Sequence, residues 1–229
     1  MEKENKRHVE LPSTEGINDL TPQDQLVYLG LRSYMNKDNL QAFPSQESVA
    51  KRVGCCAKTI RKCIKNLIEK DYIKIIGSHG RNKIYQFNKL KQFEPFSYEF
   101  LEDRSISFTQ KSMLAASQRY MINKKSGTGN INFSKMELAE KINMPYSTLV
   151  KATRELENNS IIKTIKLPSG KPQLQFELEK YHQGIVKVLL NHEERIENNE
   201  SRISKLEKQI QLLQEELLKE KNSKLDIIV

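Results

Sequence analysis

The apolar positions near the N-terminus follow three successive helical patterns and then switch to the two-residue alternation of strands. A first helix is expected to open at Thr21-Pro22-Gln23-Asp24, where a hydroxyl cap, a proline in the first turn and an early acid coincide, and to run to about Tyr34. Ser45 is placed to cap a second, short helix that turns Val49, Ala50 and Val53 inward. Gly54 ends it, since glycine takes up a left-handed conformation at little steric cost. A third helix, over about residues 57–70, gathers Ile60, Cys63, Ile64, Leu67 and Ile68 on one face and leaves Lys58, Arg61, Lys62 and Lys65 on the other. Beyond it, Tyr72-Ile73-Lys74-Ile75-Ile76 and Ile84-Tyr85-Gln86-Phe87 flank a turn of small and cationic residues at 77–83, the pattern of a β-hairpin.

The same pattern recurs 89 residues further on. Ser45 maps onto Ser134, Ala50 onto Ala139, Thr59 onto Thr148, Lys62 onto Lys151, Leu67 onto Leu156 and Ile73 onto Ile162. Apolar character is kept where Val49 becomes Leu138, Val53 becomes Ile142 and Ile60 becomes Leu149. In this second copy Ser134 and Glu137 form a capping box, and Asn143 stands in place of Gly54. Tyr146-Ser147-Thr148 opens the third helix behind Pro145. Its hairpin is expected over residues 162–178, turning at Pro168-Ser169-Gly170-Lys171-Pro172. Lys151 and Arg154 lie against Glu155 and Glu157, so this outer face is less basic than the first.

Toward the C-terminus the period changes to seven. Leu189, Ile196, Ile203, Ile210 and Leu217 fall at a, and Ile185, His192, Asn199, Leu206 and Leu213 at d. Isoleucine at a with leucine at d favours a parallel two-stranded coil, and the flanking charges agree: Arg195 meets Glu200, Arg202 meets Glu207, and Glu216 meets Lys221 of a second chain. The dimer seam is therefore expected to use Leu189, Ile196, Asn199, Ile203, Leu206, Ile210, Leu213 and Leu217, with the polar d positions helping to set register.

The order helix, short helix, tight turn, basic helix, cationic hairpin resembles the winged helix-turn-helix. The segment VAKRVGCCAKTIRKCIKNLIEKDYIKII is similar to that pattern as found in bacterial transcription regulators and in phage and plasmid replication proteins. The likeness rests on Ala50, Gly54, Thr59, Ile60, Leu67 and Ile73, with Cys56 where the family usually has a serine cap. The resemblance implies that the third helix enters a DNA major groove, about 12 Å wide in the B form. Lys58 and Lys62 would then face the groove, Thr59 would donate to a phosphate, and Arg61 and Lys65 would neutralise backbone charge. Arg81 and Lys83 would reach the backbone or minor groove from the hairpin. In the second copy Ser147, Thr148 and Lys151 occupy the corresponding face, which binds DNA more weakly or binds a protein partner instead.

Composition supports this reading. The net charge of +9 and pI near 9.3 point to a polyanionic partner. The mean hydropathy of −0.65 and the lack of a long apolar run argue against membrane insertion, and no signal peptide is seen, so a cytoplasmic protein is expected. Cys55, Cys56 and Cys63 are too few and too close for a disulfide framework, and are expected to be small packing residues rather than a redox switch. The histidines are scattered, so neither a metal nor a cofactor is expected. Gly127-Thr128-Gly129-Asn130 lacks the context of a phosphate cradle and reads as a plain loop between helices. No hydrolase, nucleotide-binding or zinc-protease motif occurs, so the chain is not expected to be an enzyme.

The expected fold is mainly α with small β-hairpin wings, an α+β chain of tandem winged modules followed by a coiled-coil helix. Residues 1–19 form a flexible arm, 20–90 the first module, 91–104 a linker and 105–181 the second module. Residues 182–222 form the dimerisation helix and 223–229 a tail. The function expected is sequence-specific binding of double-stranded DNA by a homodimeric transcription regulator. The alternatives are a plasmid or phage replication initiator that binds origin repeats, and an adaptor that recruits partners through its coil.

Overall fold

The computed structural model describes residues 8–13, 17, 19–122, 128–166, 172–177, 204, 205, 207 and 209–211. The chain divides into two compact units, Met1–Lys187 and Val188–Val229. In the first, α1 (Pro22–Arg32) opens on a capping box: the Thr21 hydroxyl accepts from the Asp24 N–H while the Asp24 carboxylate accepts from the Thr21 N–H. Almost every residue of α1 is buried, because the helix packs on β1 (His8–Pro12), α2 (Gln46–Val53), α3 (Ala57–Glu69) and α5 (Phe108–Ser117). Its approach to α2 is close enough to require Gly30, where an added Cβ would lie 2.6 Å from Val53 Cγ1 and 3.2 Å from Val49 Cγ1.

The α2 helix is capped by Ser45, whose hydroxyl accepts from the Ser48 N–H, and it ends at Gly54 with φ of 84°. After α3 come β3 (Ile73–His79) and β4 (Asn82–Phe87). The short strand β2 (Gln41–Ala42) completes an antiparallel sheet of order β2-β4-β3. Across β5 (Phe93–Ser97) and α4 (Tyr98–Glu102) the chain reaches α5. A further set of elements follows: β6 (Thr128–Ile131), α6 (Lys135–Lys141), α7 (Tyr146–Asn158), β7 (Ile162–Lys166) and β8 (Pro172–Glu177). Their sheet order is β6-β8-β7.

The 89-residue repeat is kept down to strand register. Gln41 pairs with Gln86 and Ile73 with Phe87 in the first sheet, and their counterparts Asn130 with Gln175 and Ile162 with Phe176 pair in the second. Left-handed residues recur at the same offset, with Gly54 matched by Asn143 and Asp71 by Ser160. Ser134 and Glu137 form the expected capping box.

Two stretches depart from expectation. The stretch expected to be a flexible N-terminal arm contains β1, which pairs antiparallel with β5 from the expected linker, and α4 follows directly. Val9 and Leu11 are buried, and the Arg32 guanidinium meets Glu10 at 2.6 Å. Five-residue strands whose partners lie 81 to 89 residues apart leave little local periodicity to read. The glycine-rich segment expected as a plain loop contributes β6, because the strand it pairs with, β8, lies more than 40 residues later. The turn at 167–171 lies outside the described residues.

In the second unit, residues 204, 205, 207 and 209–211 are helical, and Ile210, an expected a position, is 54% exposed. The other expected seam residues, Leu189, Ile196, Asn199, Ile203, Leu206, Leu213 and Leu217, lie outside the described residues. Among the described residues no helix is long and apolar enough to cross a membrane.

Candidate nucleic-acid interface

The interface is organised by the two-sided character of α3. Ile60, Cys63, Ile64 and Leu67 are buried on one side, while Lys58, Arg61, Lys62 and Lys65 are exposed on the other. Asn66 fastens the far end of α3 to the start of α1, its amide donating to both oxygens of Asp24 at 3.3 and 3.4 Å. The α2 helix braces the near end, with the Ala50 carbonyl accepting from the N–H groups of Gly54 and Cys55.

At its N-terminus α3 has no side-chain cap. The Cys56 thiol instead lies 3.3 Å from the Thr59 hydroxyl. The Thr59 and Ile60 N–H groups donate to the Cys56 carbonyl, at 3.0 and 3.3 Å. The Thr59 hydroxyl holds the Cys56 thiol below its ordinary value, whereas burial pushes Cys55 up to about 11 and Cys63 up as well. Cys63 is a packing residue as expected and Cys55 is half-buried, but Cys56 stands at the N-cap of α3, outside the face that the helix buries, and is exposed.

Hairpin β3–β4 stands beside α3. Its register shifts between Ile75 and Gly77, and Gly80 turns at its tip with φ of 59°. Arg81 and Lys83 are exposed there. Between α3 and the hairpin lies a cleft of about 420 Å³ lined in part by Arg61, Lys65 and Lys83, so three of the expected cations share one concavity. Lys65 also forms an ion pair with Glu69 at 3.6 Å. Phe43 was not foreseen: half exposed, its ring lies 5.0 Å from that of His79 on the hairpin. Nothing local marks this pair, since it forms only once β2 joins the sheet.

Residues 18–73 match the family model described as a helix-turn-helix domain. This stretch is a helix-turn-helix domain. No curated protein matches the chain. In the helix-turn-helix domain, α2 and α3 are the paired helices and α3 is the one whose free face is cationic, which is the geometry of a helix offered to a phosphate-lined groove.

The corresponding face of α7 carries Ser147 and Lys151, both exposed, and the half-buried Thr148. The acids of this helix, Glu155 and Glu157, are engaged within their own repeat. Glu155 accepts from the Gln110 amide at 3.0 Å, and Glu157 meets Lys135 at 3.8 Å and accepts from the Thr164 hydroxyl. Tyr146, at the start of α7, and Met136, on α6, are exposed.

Proposed function

We propose that this chain is a sequence-specific double-stranded DNA-binding protein built on two winged helix-turn-helix modules, acting as a homodimeric transcription regulator by occupancy rather than by catalysis. The observation that carries the reading is the free face of α3, where Lys58, Arg61 and Lys62, within the matched helix-turn-helix domain, stand exposed beside the cationic hairpin that follows it. Phosphate contacts supply the attraction, and exposed side chains near the start of α3 read base edges. Dimerisation is supported by the heptads and by the exposure of Ile210 on a helical stretch. The repeat of the module favours replication initiation as the second reading, since repeated origin sites suit repeated modules. Direct repeats in the bound DNA would support that role, and a site overlapping a promoter would support the regulator.

The test is selection of duplexes from random DNA with the full-length protein, followed by titration at several salt concentrations. Arg61→Ala/Lys65→Ala, which removes two phosphate contacts, is expected to reduce the salt slope by about 2, since each contributes about 0.9. Lys58→Ala/Lys62→Ala, which removes groove-facing side chains, is expected to lower affinity at least tenfold on the selected duplex. Ile203→Asp/Ile210→Asp is expected to convert a dimer to a monomer in sedimentation. An unchanged slope in the Arg61/Lys65 variant, or unchanged affinity in the Lys58/Lys62 variant, overturns the assignment of α3. A monomeric unaltered protein overturns dimerisation.

A further inference from the structure

Each repeat touches its own counterpart in the other. Strand β1 pairs antiparallel with β5, the strand that stands ahead of α5 as β1 stands ahead of α1, and the register is centred on Glu10 opposite Pro95. Helix α1 packs on α5, and their N-caps Thr21 and Ser107 are equivalent at a shift of 86, each closing a capping box. Even the ties from helix to strand correspond. Arg32 at the end of α1 donates to the Glu10 carboxylate on β1, and Gln118 just after α5 donates to the Pro95 carbonyl on β5. Contact between equivalent elements is the signature of an isologous, two-fold interface; a head-to-tail repeat would join unlike surfaces.

A two-fold relation has a consequence for DNA. Helices α3 and α7 are equivalents, the first packed on α1 and the second on α5, and a two-fold relation between the repeats with its axis across these helices directs one opposite to the other. B-DNA has two-fold axes of its own, and two oppositely directed helices match inverted half-sites read in successive major-groove segments. We propose that a single chain reads a composite site of two inverted, unequal half-sites at fixed spacing, the stronger through α3 and the weaker through α7. This inference rests on the DNA-binding reading above. Ser147 and Lys151 are exposed on α7, and the acids Glu155 and Glu157 are held by Gln110, Lys135 and Thr164, so the start of the helix presents hydroxyl and cationic groups. The unequal charge of α3 and α7 makes the site asymmetric, and a coil that joins two chains brings two such composite sites together.

The experiment uses the full-length protein on its selected duplex, with base-substitution scanning across the site. It compares the unaltered protein, Lys58→Ala/Lys62→Ala and Ser147→Ala/Lys151→Glu, and a duplex with five base pairs inserted between the halves. The expected result is two inverted contact segments per chain, one lost in each variant. The α7 variant should bind about tenfold more weakly on the intact site, and the insertion should remove that difference by turning the second half about half a helical turn away. A scan in which the α3 variant weakens both halves while the α7 variant changes neither would mean that the dyad belongs to two chains, and would overturn the proposal while leaving DNA binding intact. Absence of binding to any duplex by the unaltered protein would instead overturn the proposed function, and this inference with it. Circular dichroism of each variant, expected to match the unaltered protein because the substituted side chains are surface groups, separates lost contacts from lost folding.

Discussion

Asp24 and Asn66 form a half-buried contact between the first and third helices of the first repeat, and Gln110 and Glu155 form its counterpart in the second with the chemistry exchanged. In one copy the carboxylate lies on the first helix and the amide on the third; in the other the roles are reversed. An amide facing a carboxylate satisfies both groups, whereas two carboxylates at this separation repel in a half-buried site. Asn66→Glu is therefore expected to cost about 2–3 kcal/mol in urea unfolding, and Asp24→Gln/Asn66→Glu, which installs the second copy's arrangement, to recover more than half of that. A double variant no more stable than the single one would show that the two contacts are not interchangeable. The sequence announced residues of a different kind: Thr21, Ser45 and Ser134 as caps, and Gly54 and Asn143 as left-handed stops, because capping is decided within four residues. Asp24 and Asn66 are 42 residues apart, and no local pattern joins them.

The helices and hairpins around α3 were legible because each carries its own period, whereas β1, β2, β5 and β6 were not, being short strands completed by distant partners. Of the site, the cations of α3 and the hairpin were legible from helical phase and turn composition, while the pairing of Phe43 with His79 awaited β2. Strand β1 is held to α1 by Glu10, whose carboxyl is kept at about 2, against an ordinary 4.5, by His8 and by the Arg32 guanidinium. A folded-state value below the unfolded one means that this contact stabilises the protein above pH 4.5 and is lost as pH falls from there toward 2. Glu10→Gln is expected to cost about 1–2 kcal/mol at pH 7, a figure reduced for the partial exposure of Glu10 but sustained by the burial of Arg32. The gap between variant and unaltered protein should close as pH falls from 4.5 toward 2 in denaturant titrations. A gap that stays constant with pH would mean that the contact is not ionic.

The β1–β5 ribbon, the α1–α5 contact and the buried Lys111 join the described elements of the two repeats. The Lys111 ammonium, on α5, donates to Leu101 at 2.7 Å and reaches the Val53 carbonyl at the end of α2 at 3.5 Å, so it ties the second repeat to the first; burial lowers its pKa to about 8. The hydrophobic core likewise runs without a break from Val9 to Leu174. Cooperativity across this core can be read by perturbing one repeat and observing the other. Gly30→Ala forces a methyl group against Val53, a short side chain with nowhere to swing, and is expected to cost about 2 kcal/mol. The second copy already has Ala116 at the corresponding place in α5. If the repeats unfold together, amide hydrogens in α7 should exchange roughly 30-fold faster in the variant, as should those in α3, because both depend on the same global opening. Acceleration confined to α3 would mean that the repeats open separately. The spacing of α3 and α7 would then not be fixed in advance by the α1–α5 contact.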